Sequence, residues 1–335
     1  MKHVEVINGD MKMIIDTPYY EDHDRVSNSS IGWFLKGGPS YFYKKLKGEI
    51  EGEKTPAMDR GTMIHSYILT PEEFLKTYVV WDKSRPTSAQ QEKFCQALAN
   101  TLEIEPDKAV LSAYKEAYST AGKSEDKMLS EGLKIASTLK DYIDFLKENS
   151  GRIMISPWDY QMLKKIKYEI LEHKLARKLI WTTEKIEHFH EFHINWEWGN
   201  VSCKSLLDGL NLNFFEKKAI IYDLKTTQKL WHFEDSIDQY DYCRQIAYYK
   251  QAVMWYLKNE CEEDPTKWEF EYYIIGIDTT NLGDIRVFKL EEYMIQSRSF
   301  VITDALNTIA WHQMNNKWEH SREYYEGDGS ETLKL

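Results

Sequence analysis

The chain has 335 residues, 42% hydrophobic and 29% charged, the composition of a folded globular protein and not of a disordered one. Its 43 Lys and Arg against 54 Asp and Glu leave a net charge of −11, which argues against indiscriminate coating of a polyanion but leaves room for a local positive track. No run of about 18 apolar residues predicts a membrane span, and Cys95, Cys203, Cys243 and Cys261 are scattered without a C-x-x-C pair, against a zinc ribbon or disulfide framework. The first twenty residues, interrupted by Asp10, Lys12 and Asp16, lack a signal-peptide core, so the expectation is a reduced, cytoplasmic protein without a membrane segment.

In chain order, Asn28, Ser29 and Ser30 read as the capped start of a short helix. Gly37, Gly38 and Pro39 break it, and a second short helix restarts at Ser40. Lys36, Lys44, Lys45 and Lys47, interleaved with Tyr41, Phe42 and Tyr43, form the clearest basic stretch. It reads first as a solvated helix face over core aromatics, and second as a contact with a phosphate backbone. Met58 to Leu69 is again helical, and residues 84–180 read as a large helical insertion with starts near Ser88 and Ser156-Pro157.

The pattern changes near Ile186. EHFHEFHINWEW alternates as a strand, Gly199-Asn200 turns, VSCKSLLDGLNLNF is a second strand and AIIYDLKTT a third, with Glu216, Lys217 and Lys218 turning between them. A helix from about Asp238 to Asn259, a strand WEFEYYIIGID and a C-terminal helix within 290–320 complete the order. The class is α/β, a mixed central sheet flanked by helices. The organisation expected is a single domain over 1–335. It has N-terminal helices in 28–80, the insertion in 84–180 and the sheet with its following helix in 186–280. His188 and His190 share one strand face with His193 on the other, so one zinc ion is not expected to bind all three. Trp311 and Trp318, seven apart, predict one buried face of the last helix.

The chemically informative stretch is SLLDGL…IIYDLKTT. A period of two places Asp223 and Lys225 on one face of the third strand, and Asp208, 15 residues earlier, arrives on the neighbouring strand. Two carboxylates suit Mg²⁺, with Mn²⁺ also acceptable, and an adjacent ammonium suits a charged transition state. Neither a P-loop nor a G-x-S-x-G elbow is present.

Gly61-x-x-x-His65, Asp208, Asp223-x-Lys225 and Gln245-x-x-x-Tyr249, in that order, resemble the RecB-type branch of the PD-(D/E)XK nucleases. SSIGWFLKGGPSYFYKK, RGTMIHSYILTPEEF and the Glu191 strand resemble, more narrowly, the phage and prophage exonuclease VIII (RecE-type) proteins, over residues 28 to 257. The resemblance implies a restriction-endonuclease-like fold. It implies metal ligation by His65, Asp208, Asp223 and the Leu224 carbonyl, catalysis by Lys225, and Gln245 and Tyr249 lining the site with Glu191 nearby. It further implies Mg²⁺-dependent, 5′-to-3′ digestion of linear double-stranded DNA in recombination, a homo-oligomer, and a single-strand annealing protein as partner. Leu206-Leu207 stand where such proteins often carry an arginine, with Lys204 the nearest cation. Two alternatives stay open: a module that binds DNA or a partner without cutting, and a structure-specific endonuclease.

Overall fold

The computed structural model describes residues 2–7, 10–15, 19–52, 55–103, 105–148, 151–182, 186–280 and 284–331. The chain divides into two compact units, one of residues 1–70 with 164–335, the other of residues 71–163. In the first unit, β1 (Lys2–Ile7) and β2 (Asp10–Ile15) form an antiparallel pair that the residue pattern does not announce, followed by α1 (Asn28–Leu46) and α2 (Pro56–Leu69). The second unit holds α3 (Pro71–Thr77), β3 (Tyr78–Val80), α4 (Ala89–Asn100), α5 (Pro106–Ala117), α6 (Glu125–Thr138), α7 (Lys140–Glu148) and β4 (Ile153–Ile155), with β3 and β4 paired in parallel. Phe94, Val110, Tyr114 and Ile143 are among its core residues.

The unit boundary falls within α8 (Pro157–Glu172), and α9 (Lys174–Ile180) belongs to the first unit. There the Asn211 side chain donates to the Leu179 carbonyl at 3.0 Å, which ties α9 to the sheet. The helical stretch expected over 84–180 therefore contributes to both units.

The sheet has five strands, β5 (Glu187–Trp198), β6 (Val201–Asn213), β7 (Lys218–Thr227), β8 (Glu269–Asp278) and β9 (Ile285–Leu290), in spatial order of their numbers. All neighbours are antiparallel except β7 and β8, which run parallel. A parallel pair needs a crossover, supplied by α10 (Phe233–Tyr240) and α11 (Tyr242–Asn259). The sequence reading missed β9, whose short run Ile285–Leu290 is only partly buried and alternates weakly. It also ran α10 and α11 together. Asp241 separates them in a left-handed conformation (φ 51°), held by Arg298, whose Nε donates to its carboxylate at 2.7 Å.

One sheet face packs on α11, where Ile246, Ala247, Val253 and Leu257 meet Ile194, Trp196, Leu210 and Ile221. Beyond it lies α12 (Glu292–Asn315), which adds Ile302, Leu306 and Ile309 to the same core. Each such buried aliphatic side chain contributes about 1.5–3 kcal/mol of transfer free energy. Ser27 caps α1 in a reciprocal capping box with Ser30, one residue before the expected Asn28. The chain kinks at Gly38 (φ 73°), just before Pro39, where the break was expected. The basic stretch of α1 is mixed in character. Phe42 and Leu46 are buried, Lys45 donates to the Glu51 carbonyl at 2.5 Å, and Lys47 pairs with Asp24 at 3.1 Å.

Trp311 and Trp318 do not share a helix face. α12 ends at Asn315, Asn316 turns left-handed, and Trp318 folds back to stack on Phe42 and Tyr43 at 5.6 and 5.0 Å. His188 and His190 do share a face, with ring centroids 4.4 Å apart. Each is bound locally: His188 to the Asn211 side chain, His190 between the carbonyls of Leu69 and Ile180. These contacts occupy the two imidazoles in holding the strand.

One irregularity in the sheet positions the site. β5 and β6 pair from Glu187↔Leu212 to His190↔Gly209 and resume at Phe192↔Leu207, leaving Glu191 opposite Asp208 outside the ladder. Glu191 has φ 47°, a left-handed conformation that is uncommon for a non-glycine residue and concentrates at functional sites. Phe189 and Phe192 both pack on the core, as do Leu207 and Leu210, so the inward alternation shifts by one residue on each strand. At Gly209 a Cβ would lie 1.8 Å from the Tyr222 ring, so only glycine fits beside this step.

Candidate active site

Five elements, β5, β6, β7, α2 and α11, deliver the expected residues to one place in the first unit. β7 carries Asp223 and Lys225 on the same pleat face, and Lys225 Nζ lies 2.5 Å from Asp223 Oδ2. β6 brings Asp208, whose Oδ2 accepts the Leu224 backbone N–H at 2.7 Å. The Leu224 amide thus orients the neighbouring strand's carboxylate, and its carbonyl as a metal ligand rests on the resemblance alone. α2 brings His65, with Nδ1 3.5 Å from Asp208 Oδ2. On α11, Gln245 Nε2 donates to Asp223 Oδ1 at 3.0 Å and to the Tyr249 hydroxyl at 2.8 Å, the i, i+4 pair of one helix face. The Lys225 ammonium also sits 5.0 Å from the Tyr242 ring centroid, a cation–π contact the sequence reading did not anticipate.

A family model described as a PDDEXK-like domain of unknown function (DUF3799) matches residues 27–326. The chain belongs to that family. It therefore has the PD-(D/E)XK nuclease fold, in agreement with the sequence expectation. No curated protein matches it. Among solved structures, a protein described as a "putative exonuclease" from Eubacterium rectale is similar at TM-score 0.48 and 14% identity, over 96% of this chain and 97% of that one.

In this PDDEXK-like domain the site gathers a candidate donor set for a divalent ion. One ligand atom each from His65, Glu191 and Asp208 lies within 4.8 Å of the other two, the one such group among the described residues. Two carboxylate oxygens and an imidazole nitrogen fit Mg²⁺ or Mn²⁺. The resemblance implied Asp223 as a ligand and placed Glu191 merely near the site. In the structure Glu191 stands beside Asp208 and His65, while Asp223 is engaged by Lys225 and Gln245. The register of β5 on β6 accounts for this, since it sets Glu191 directly opposite Asp208, where cross-strand side chains share a face.

Lys204, the cation closest to the missing arginine, is not available to a phosphate. It is buried, donates to the carbonyls of Tyr19 and Asp22, and covers the Tyr19 ring.

The electrostatics follow from crowding three carboxylates out of water. Burial, then the Asp208 charge, pushes Glu191 up to about 7. The same two causes push Asp223 up to about 6 against the pull of Lys225. At Asp208 burial also acts upward, but His65, Lys225 and the Leu224 amide outweigh it and hold the carboxyl below its usual value. Burial disfavours the charged forms of His65 and Lys225, yet the carboxylates raise both above their usual values. The arrangement therefore keeps Lys225 cationic and leaves Glu191 and Asp223 partly protonated near neutrality, a state that a divalent ion would reverse.

A pH dependence follows. Glu191 and Asp223 have raised folded-state values, so in metal-free protein they favour the folded state below the ordinary carboxylate range. That contribution is lost as pH rises through about 6 to 7. His65 too must release its proton to ligate. The gain in melting temperature on adding Mg²⁺ or Mn²⁺ is expected to be larger at pH 8 than at pH 6, with proton release on binding. Equal gains at both pH values in thermal-shift measurements would remove these groups from the ligand set.

Proposed function

We propose that the chain is a metal-dependent exodeoxyribonuclease that hydrolyses phosphodiester bonds of linear double-stranded DNA, with Mg²⁺ as the working ion and Mn²⁺ as a substitute. The observation that carries this reading is the juxtaposition of the His65, Glu191 and Asp208 group with the Lys225–Asp223 ion pair. His65, Glu191 and Asp208 would hold the ion, with Asp223 at its edge. A bound divalent ion supplies charge neutralisation of the scissile phosphate and acidification of a water.

The protein's own groups do the rest. Asp223 and the Tyr242 ring hold the Lys225 ammonium, which offers a fixed positive charge to the negative charge that builds on phosphorus-bound oxygen. Gln245 holds Asp223, and Tyr249 holds Gln245, so the lysine's partner cannot rotate away. Burial keeps the Tyr249 phenol neutral, which suits it to hydrogen bonding and not to proton transfer at neutral pH. The Leu224 amide does for Asp208 what Gln245 does for Asp223.

Attack from a 5′ end, a role in phage-type recombination or DNA end processing, a ring-like homo-oligomer, a single-strand annealing partner and a cytoplasmic setting rest on the family resemblance of the motifs. The deciding experiment compares linear duplex with covalently closed circular DNA in Mg²⁺. Loss of the linear form alone is expected. Cutting of both would make the protein an endonuclease, and cleavage of neither, in Mg²⁺ or Mn²⁺, would make it a binding module.

A further inference from the structure

On α11, one residue before Gln245, lies a second cationic feature that the chemistry above does not use. Arg244, next to Gln245 on α11, is only 7% exposed, yet its guanidinium has no hydrogen bond among the described residues. The nearest acid, Asp241, is 3.6 Å from its Nε, and the other oxygen of that carboxylate is taken by Arg298 at 2.7 Å. Two guanidiniums thus share one carboxylate, which leaves net positive charge in a place where an unpaired ion is costly.

The guanidinium lines a groove of about 430 Å³ with Ser29, Gly32, Trp33, Lys36 and Tyr41 of α1. Lys36 has no ion pair among the described residues. Positions 29, 32, 33 and 36 fall on one face of a helix, so α1 presents a hydroxyl, an indole and an ammonium to the same space. Two glycines of α1 let side chains approach closely here. A Cβ at Gly32 would lie 3.2 Å from both terminal nitrogens of Arg244, and one at Gly37 would lie 2.4 Å from the Tyr41 ring. A helical glycine costs about 1 kcal/mol relative to alanine, and what the two glycines gain is the placement of the arginine and of one aromatic ring. Ser29 and Trp33 also line the neighbouring, larger groove that includes Tyr20, whose phenol lies in the field of Glu191 and Asp208.

We propose that the α1–α11 groove is a subsite for a DNA strand leading from the metal centre, in which Arg244 and Lys36 hold one backbone phosphate and Trp33 and Tyr41 stack on flanking bases. The subsite deepens the DNA-cleaving reading and rests on it. A buried guanidinium gives bidentate contact to phosphate oxygens, and two aromatic faces accept any base, so the recognition is independent of sequence.

The test is binding of a fluorescein-labelled single-stranded DNA oligonucleotide to the full chain across a salt series, with Ca²⁺ in place of Mg²⁺, alongside Mg²⁺-dependent cleavage of linear duplex by the same wild-type sample. Two variants spare the fold. Lys36→Gln alters an exposed residue, and Gly32→Ala displaces only the flexible end of Arg244. Each is expected to weaken binding about three- to ten-fold, and Lys36→Gln to reduce the slope of log affinity on log salt by about 0.7, the share of one single-strand phosphate. Lys258→Gln, the same charge change at the far end of α11, is expected to leave both unchanged. Wild-type affinity and slope in both groove variants, or equal losses in Lys258→Gln, would overturn the subsite while wild-type cleavage leaves the nuclease reading intact. A wild-type protein that neither binds nor cuts DNA would overturn both.

Discussion

Asp208→Asn is expected to lower cleavage of linear duplex DNA by about three orders of magnitude or more, the scale on which removing a charged metal ligand acts on phosphoryl transfer. Asp208 occupies the middle of the site. It is within 4.8 Å of the His65 and Glu191 donors, it accepts the Leu224 amide, and its charge raises both Glu191 and Asp223. Asparagine keeps an oxygen for the Leu224 amide but loses the anion. Metal affinity measured by calorimetry is therefore expected to fall with activity. Metal-free unfolding at pH 8 should stay cooperative but shift to a modestly lower temperature, because the depressed Asp208 carboxyl marks its anion as a stabiliser of the fold. That combination separates loss of a ligand from loss of the fold. Activity within tenfold of wild type would show that the three-residue group is not the ion's seat.

Lys225→Met is the complementary case. It is expected to cost about two to three orders of magnitude in rate while metal binding survives, since the ammonium is not a ligand and acts on developing charge. Its second effect distinguishes it from a general weakening. Without the ammonium, Asp223 is 1% exposed with no cation beside it, and breaking one half of a buried ion pair typically costs 3–5 kcal/mol. Asp223 escapes part of that cost by protonation. The variant's melting temperature should therefore fall more steeply than wild type as pH rises from 5 to 8, and its residual activity should shift toward higher pH. A variant with wild-type pH behaviour would show that the 2.5 Å contact between Lys225 and Asp223 carries little of the site's electrostatics.

Much of this arrangement can be read locally. The apolar run Ala219–Tyr222 followed by Asp223, Leu224 and Lys225 is a buried strand that places two charged groups on one face, and β7 has that form. Gln245 and Tyr249, four apart, meet as helix periodicity requires. The region 28–80 does supply His65, although only the pairing of α2 with the sheet could show that its imidazole faces Asp208. The features that escaped are those in which a residue departs from its local pattern. Glu191 leaves the pleat, Asp241 interrupts a helix whose composition is continuous, and Trp318 turns back onto α1 after α12 has ended. Lys204, the cation nearest the absent arginine, is consumed by two backbone carbonyls, which residue type alone does not show.

Sequence alone determined the fold class, the order of the main strands and which candidate side chains the site would gather. Periodicity and residue type are properties of a segment and its immediate neighbours. Tertiary structure alone decided which carboxylate stands with which partner. Asp223 went to Lys225 and Gln245, whereas Glu191 came to Asp208 and His65. The physical reason is that strand register sets Glu191 opposite Asp208 while α2 and α11 bring His65 and Gln245, and a left-handed step at Glu191 beside a glycine that admits the Tyr222 ring adjusts the alternation of two strands. The conformational cost of that step is borne by contacts distant in sequence, and no local pattern records them.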